Sequence, residues 1–503
     1  MPSLFETLTI KFTDHADLER IVMGIKENKL RRQYLTHARC LDLICLPDIE
    51  RQYVDKDSGI DTLVLSGSKD TRVTLADFLP DTARSFLGSH LTHWHHPGLS
   101  HSPTPPGFYK ENQWEPLIML ISILERLTEF NYVLANMFPK CILQAVHKCH
   151  PKCRLNIWGW QFLNQHKPGL EGLRISDFPE YDDPFEMDIL SSPCLHAISL
   201  LYSANYHLTT PREVKCQNVF PIITMAPNLK HVHLRCHPWD ALQISDNNDN
   251  WKRYMASLDP SYPATPASLC FHNYGMEEEV LPMWMDVTDF SSLQSLSINK
   301  IRHPTKLKDI LLGLQNLKCL FIDVTPLPYS SPNFENELAL MFKELNPLKY
   351  LRIRGTGSIS VFQGLLTRHG TTLQGLIIEP IDRPESSDNR RENHAIYPLL
   401  GPLHVTQFAE LCPYLEELRL PVARSLGNQR EYQFYEALGK FRSLRSLVLD
   451  LDCNSPCSWD TSSTANASSH SKIHSVFANA AMDETLASSI WDLVSSNQQT
   501  RRL

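Results

Sequence analysis

The densest run of metal-ligating residue types is His147-Lys148-Cys149-His150-Pro151-Lys152-Cys153. Thiolate and imidazole at short spacing ligate zinc, but a closed tetrahedral site needs four converging ligands. Here Cys149 and Cys153 straddle a proline and no second cysteine pair lies nearby. A helix end packed beneath a strand is the expectation for this run. His93, His95, His96 and His101 fall in a stretch rich in Pro and Ser, expected to be an exposed turn. The Asp246 to Asn250 run lacks the sharp-turn glycine and terminal glutamate of a calcium loop. Gly355-Thr356-Gly357 is an isolated fragment, and the chain holds no phosphate-cradling glycine loop, HExxH or GxSxG. No catalytic residue, cofactor or metal ligand is assigned from these motifs.

What the chain does carry is charge laid on a recurring apolar pattern. The six-residue form apolar-x-x-apolar-x-apolar starts at Leu170, Leu195, Leu229, Leu293, Leu317, Leu348, Leu373, Leu415 and Leu444. Successive starts are 25, 34, 64, 24, 31, 25, 42 and 29 residues apart, around the period of leucine-rich repeats. Each copy predicts a short strand whose fourth and sixth residues point inward and whose third, fifth and seventh point out. The outward set contains Arg174, then His231, His233 and Arg235, then Tyr350, Arg352 and Arg354, then Arg419 beside Glu417. These residues predict a locally basic surface that binds a protein target through an acidic or phosphorylated segment, because guanidinium offers paired donors to carboxylate and phosphate.

One such strand cannot bury its apolar face alone, so the copies must stack. The expected fold is an α/β leucine-rich-repeat solenoid, with parallel strands on the concave face and helices on the convex face. Helical periodicity falls between the strands at 116–127, 139–147, 307–314, 334–345, 405–411 and 432–441. Weaker strand copies begin at Ala38, Ile60, Leu127 and Arg154, and the 64-residue gap is long enough to hide one more. The organisation predicted is degenerate repeats over 1–90, a Pro/His-rich loop over 91–115, the array over 116–452, a Ser/Asn-rich linker over 453–472 and a helical segment over 473–503.

With 503 residues, the chain is too long for one ordinary core, which favours an elongated array. A net charge of −8 gives no overall attraction to nucleic acid or to an anionic membrane. No apolar run reaches the length of a membrane span, and 13 cysteines without framework spacing suit reduced thiols, so an intracellular protein, cytoplasmic or nuclear, is expected.

Four stretches resemble the F-box and leucine-rich-repeat proteins of filamentous fungi: SLFETLTIKF at Ser3, YLTHARCLDL at Tyr34, FPKCILQAVHKCHPKCRLNI at Phe138 and DETLASSIWDLV at Asp483. The resemblance implies the substrate-recognition subunit of an SCF-type ubiquitin ligase. In that family an F-box binds the adaptor and cullin assembly while the repeats hold the target. The F-box, with its Leu-Pro-x-Glu-like start, is not found in this sequence. The alternative is a stand-alone repeat scaffold without a ligase role.

Overall fold

The computed structural model describes residues 6–12, 14–29, 33, 35–45, 63–65, 111–133, 138–160, 188–189, 191–202, 226–236, 265–272, 281–282, 285, 288–298, 301, 303–325, 331–356, 358–380, 397–452, 479–481 and 483–499. The chain divides into two compact units, and each is α/β.

The first unit opens with β1 (Thr7–Phe12) and α1 (His15–Glu27), whose first turn is capped by the Asp14 carboxylate accepting from the Asp17 N–H at 2.8 Å. It continues through β2 (Cys40–Cys45), β3 (Leu63–Leu65), α2 (Glu115–Ile123), β4 (Glu129–Val133), α3 (Lys140–Cys149), β5 (Arg154–Trp160), β6 (Leu195–Tyr202), β7 (His231–Cys236) and β8 (Ser268–His272). Strands β1, β2 and β4 to β8 pair in parallel, each with the next. β8 is the degenerate copy hidden in the long gap. The copy expected at Ile60 is no repeat strand: β3 pairs antiparallel with β1 and covers that edge. The copy at Leu170 lies outside the described residues.

The second unit runs β9 (Ser295–Ile298), α4 (Pro304–Gly313), β10 (Cys319–Asp323), α5 (Phe334–Glu344), β11 (Tyr350–Arg354), α6 (Ile359–His369), β12 (Gly375–Glu379), α7 (Pro402–Leu411), β13 (Glu417–Ala423), α8 (Gln429–Leu438) and β14 (Ser446–Asp452). A last helix, α9 (Glu484–Gln499), packs on α8. Its strands are parallel and in register from β9 to β14. The leucine that opens each pattern is buried, at Leu317, Leu348, Leu373, Leu415 and Leu444, each such side chain contributing about 1.5–3 kcal/mol.

A backbone device repeats with the sequence. The carbonyl of the residue after that leucine accepts two successive N–H groups of the next copy: Gln294 from Lys318 and Cys319, Lys318 from Lys349 and Tyr350, Lys349 from Gln374 and Gly375, and Gln374 from Glu416 and Glu417. The register of every strand is thereby set at its first residue, which keeps the inward positions aligned along each sheet.

Histidines tie consecutive helices together in both units. His150, at the end of α3, points Nε2 at the Ile121 carbonyl of α2 at 2.9 Å; His369, closing α6, points Nε2 at the Phe342 carbonyl of α5 at 2.8 Å. Both carbonyls lie two residues before their helix ends, where the helix leaves acceptors unsatisfied. The His147 to Cys153 run is thus a helix end: His147 meets Ser192 Oγ at 2.8 Å, Cys153 is buried and Cys149 is exposed.

Candidate functional site: the outward face of the strands

Because the strands are parallel and in register, the third, fifth and seventh pattern positions form rows across each sheet. In the second unit the middle row is Phe321, Arg352, Ile377 and Arg419, and the row beyond it contains Asp323, Arg354 and Glu379. Arg352 Nη2 lies 2.6 Å from Glu379 Oε2, Arg419 Nη1 lies 3.2 Å from Glu379 Oε1, and Arg419 Nε lies 2.8 Å from Asp450 Oδ2. Each arginine reaches a carboxylate two residues further along the neighbouring strand. Ile377, buried, sits between the two arginines and below Glu379 on its own strand.

This geometry changes the charge expected from the sequence. Arg352 is only 6% exposed and is neutralised by Glu379, and Arg419 is shared between Glu379 and Asp450. The outward positions also carry Asp323, Glu417 and Asp452, so the face is mixed in sign and not basic. Tyr350 and Arg354 are half-buried, and Tyr350 and Glu417 flank the buried Gly375 in one row. Burial and the nearby Glu417 charge raise the Tyr350 pKa.

In the first unit His231 and His233 are buried rather than presented. The His231 ring lies 5.0 Å from His196, and His233 stands edge-on to Trp158 at 5.2 Å. Burial first, then the His196, Arg154 and Lys230 charges, lower the His231 pKa to about 3. His231 is therefore neutral at pH 7, and His233 is buried against the Trp158 indole, so neither ring is presented at the surface. The Arg235 backbone lies in β7, while its side chain and all of Arg174 lie outside the described residues.

The same face holds a feature that arginine counting overlooks. Thr9 Oγ1 donates to Asp42 at 3.1 Å, Asn131 Nδ2 donates to Asp42 at 2.9 Å, and Asn156 Nδ2 donates to Asn131 Oδ1 at 2.7 Å. These residues occupy one row across β1, β2, β4 and β5, and Asp42, Asn131 and Asn156 are buried. The signal was present in the sequence as Asp42, Asn131 and Asn156, each directly after the first inward residue of the weak copies at Ala38, Leu127 and Arg154. Glu129 adds an ion pair to Arg154 at 2.8 Å at the start of this ladder.

Parallel strands that advance one per copy, with helices between them and buried leucines at matched positions, make this a chain of leucine-rich repeats. No family model matches it, and no curated protein does. Among solved structures it is similar to the leucine-rich repeat-containing protein LegL7 from Legionella pneumophila, at 12% identity and a TM-score of 0.32, over 78% of this chain and 95% of that one. The fold assignment rests on the strand register described above. No helix among the described residues is long and apolar enough to cross a membrane.

Proposed function

We propose that this chain is a protein-interaction module without catalytic chemistry of its own, and that the outward strand face of the second unit holds the partner. The observation that carries this reading is the ion-paired chain from Arg352 through Glu379 and Arg419 to Asp450 at 2.6–3.2 Å. It fixes long side chains before any partner arrives, which lowers the ordering cost of association. Beside that platform Tyr350, Arg354 and Glu417 lie half-buried on the same face, and their chemistry suits a segment bearing both signs: an acidic or phosphorylated group for Arg354 and a donor for Glu417.

Capture of partners from a cell extract with the full chain as bait, followed by the same capture with Arg354→Glu, Tyr350→Ala and Glu417→Arg, tests the assignment. Loss of the same partner in all three variants, at unchanged melting temperature, supports the face; equal capture by all three removes it. The finer reading, substrate recognition within an SCF-type ubiquitin ligase, is supported by the sequence resemblance alone. Its test is co-purification of the adaptor and cullin with the full-length protein; a chain that captures a target and never the adaptor is a stand-alone scaffold.

A further inference from the structure

The polar ladder of the first unit runs one way and stops at β6. Asn131 donates to Asp42, and Asn156 donates to Asn131 Oδ1 and, at 3.3 Å, to Glu129. Each amide thus donates back toward β2, where the ladder ends on the Asp42 carboxylate. With Nδ2 turned to β4, the planar Asn156 amide turns Oδ1 the other way, toward β6. The paired residue there is Ala197, whose side chain has no donor to give. Asn156 is 2% exposed, and among the described residues no donor reaches its Oδ1. Ser199, two residues further along β6 on the same face, is 1% exposed, and its hydroxyl likewise has no hydrogen-bond partner among them. A buried acceptor and a buried hydroxyl left dry would each weaken folding about tenfold or more, a cost that protein interiors avoid by admitting water.

We infer that an ordered water molecule binds on this face above Ala197 and joins β6 to the ladder. It donates to Asn156 Oδ1 and accepts from the Ser199 hydroxyl. Donation then runs without a break from Ser199 through the water, Asn156 and Asn131 to the charged Asp42, and each bond in such a chain polarises the next. The position is bordered by His231, which pairs with Ala197 on the β7 side, and by Trp158, which pairs with Ser199 on the β5 side. Asn156 and Ser199 are uncharged, and the Asp42 charge is already met by Thr9, Cys40 and Asn131, so the site suits a neutral donor and not a cation. Burial to 2% exposure or less suits a molecule the size of water. The water binds side chains of three kinds of partner strand into one network over β2, β4, β5 and β6. It does not depend on the partner assigned above to the second unit.

A crystal structure of the full chain should show a water within about 3.2 Å of both Asn156 Oδ1 and Ser199 Oγ. Stability supplies an independent sign. Ser199→Ala removes a partner of the water and should lower the folding equilibrium constant about fivefold in urea denaturation. A dry hydroxyl predicts the opposite, since its removal relieves an unpaired buried group. Ala197→Asn places a donor beside Asn156 Oδ1 in the same register that lets Asn156 reach Asn131, and so replaces the water. In that background Ser199→Ala should no longer lower stability. A Ser199→Ala chain as stable as the native one, or more stable, overturns the proposal. So does a crystal structure in which a group of the protein itself donates to Asn156 Oδ1. Should Ala197→Asn fail to fold, the crystal structure and the sign of the single Ser199→Ala change still decide.

Discussion

Arg352 and Arg354 are two residues apart in one strand and look equivalent in the sequence, yet they differ in role. Arg352 is buried against Glu379, so Arg352→Ala leaves that carboxylate with Arg419 alone, and the loss should be about 3 kcal/mol, read by urea denaturation. Arg354→Ala, at a half-buried position, should cost under about 1 kcal/mol and act on partner capture instead. The buried ladder offers a second contrast. Asn131→Leu leaves the buried Asp42 carboxylate with only the Thr9 hydroxyl and the Cys40 thiol, and the Asn156 amide with only a long bond to Glu129, and should destabilise the first unit by about 2 kcal/mol although it adds apolar volume to a buried site. The sequence displayed all of these residues. It could not display their pairing, because Glu379 reaches Arg352 and Arg419 only once three copies of unequal length, separated by up to 42 residues, come into register.

At the scale of elements the sequence was most legible where copies were strong. Each of the six helical stretches expected from periodicity overlaps a helix, and eight of the nine strong strand copies end in described strands running parallel to their neighbours. Between the strong copies one helix escaped: α6 carries Ile359, Val361 and a mid-helix Gly364, residues of modest or poor helix propensity. Tertiary packing overrides that preference, since Val361, Phe362, Leu365 and Leu366 are buried and α6 packs along α5. The entry to α6 depends on Gly355, which sits at φ +91°, and a Cβ there would fall 2.7 Å from the Thr325 nitrogen. Gly355→Ala should therefore cost more than the ~1–2 kcal/mol of a left-handed backbone alone. Differential scanning calorimetry should locate that loss in the second unit; a cost below about 1 kcal/mol would mean the turn relaxes freely.

For the molecule as a whole, neutral buried histidines set how it responds to acid. His369 is 0% exposed and satisfied on both nitrogens, since Nδ1 accepts from the Leu348 N–H at 3.2 Å while Nε2 donates to Phe342. A proton on Nδ1 would break the first bond, and burial lowers the pKa from 6.5 to about 4. In the first unit burial likewise lowers His196 to about 4 and His231 to about 3. The unfolded chain thus binds protons that the folded chain refuses, so stability is full above pH 6.5 and declines as pH falls toward the folded values. For His369 alone the shift from 6.5 to about 4 corresponds to about 2 kcal/mol lost between pH 7.5 and pH 5. Glu431 continues the trend at lower pH. Burial opposes its charge, but the Ser425 and Gly427 N–H groups, the Tyr435 hydroxyl and Arg424 together hold its pKa below the usual carboxylate value, so its contribution is lost only as pH falls through that depressed value. Urea denaturation at pH 7.5 and pH 5 should show this acid loss in both units. His369→Gln, whose amide can donate to Phe342 and accept from Leu348, should flatten it in the second unit only. A second unit equally stable at both values in the native protein would mean that the His369 ring accepts its proton in place, and the helix-tying role would need another explanation.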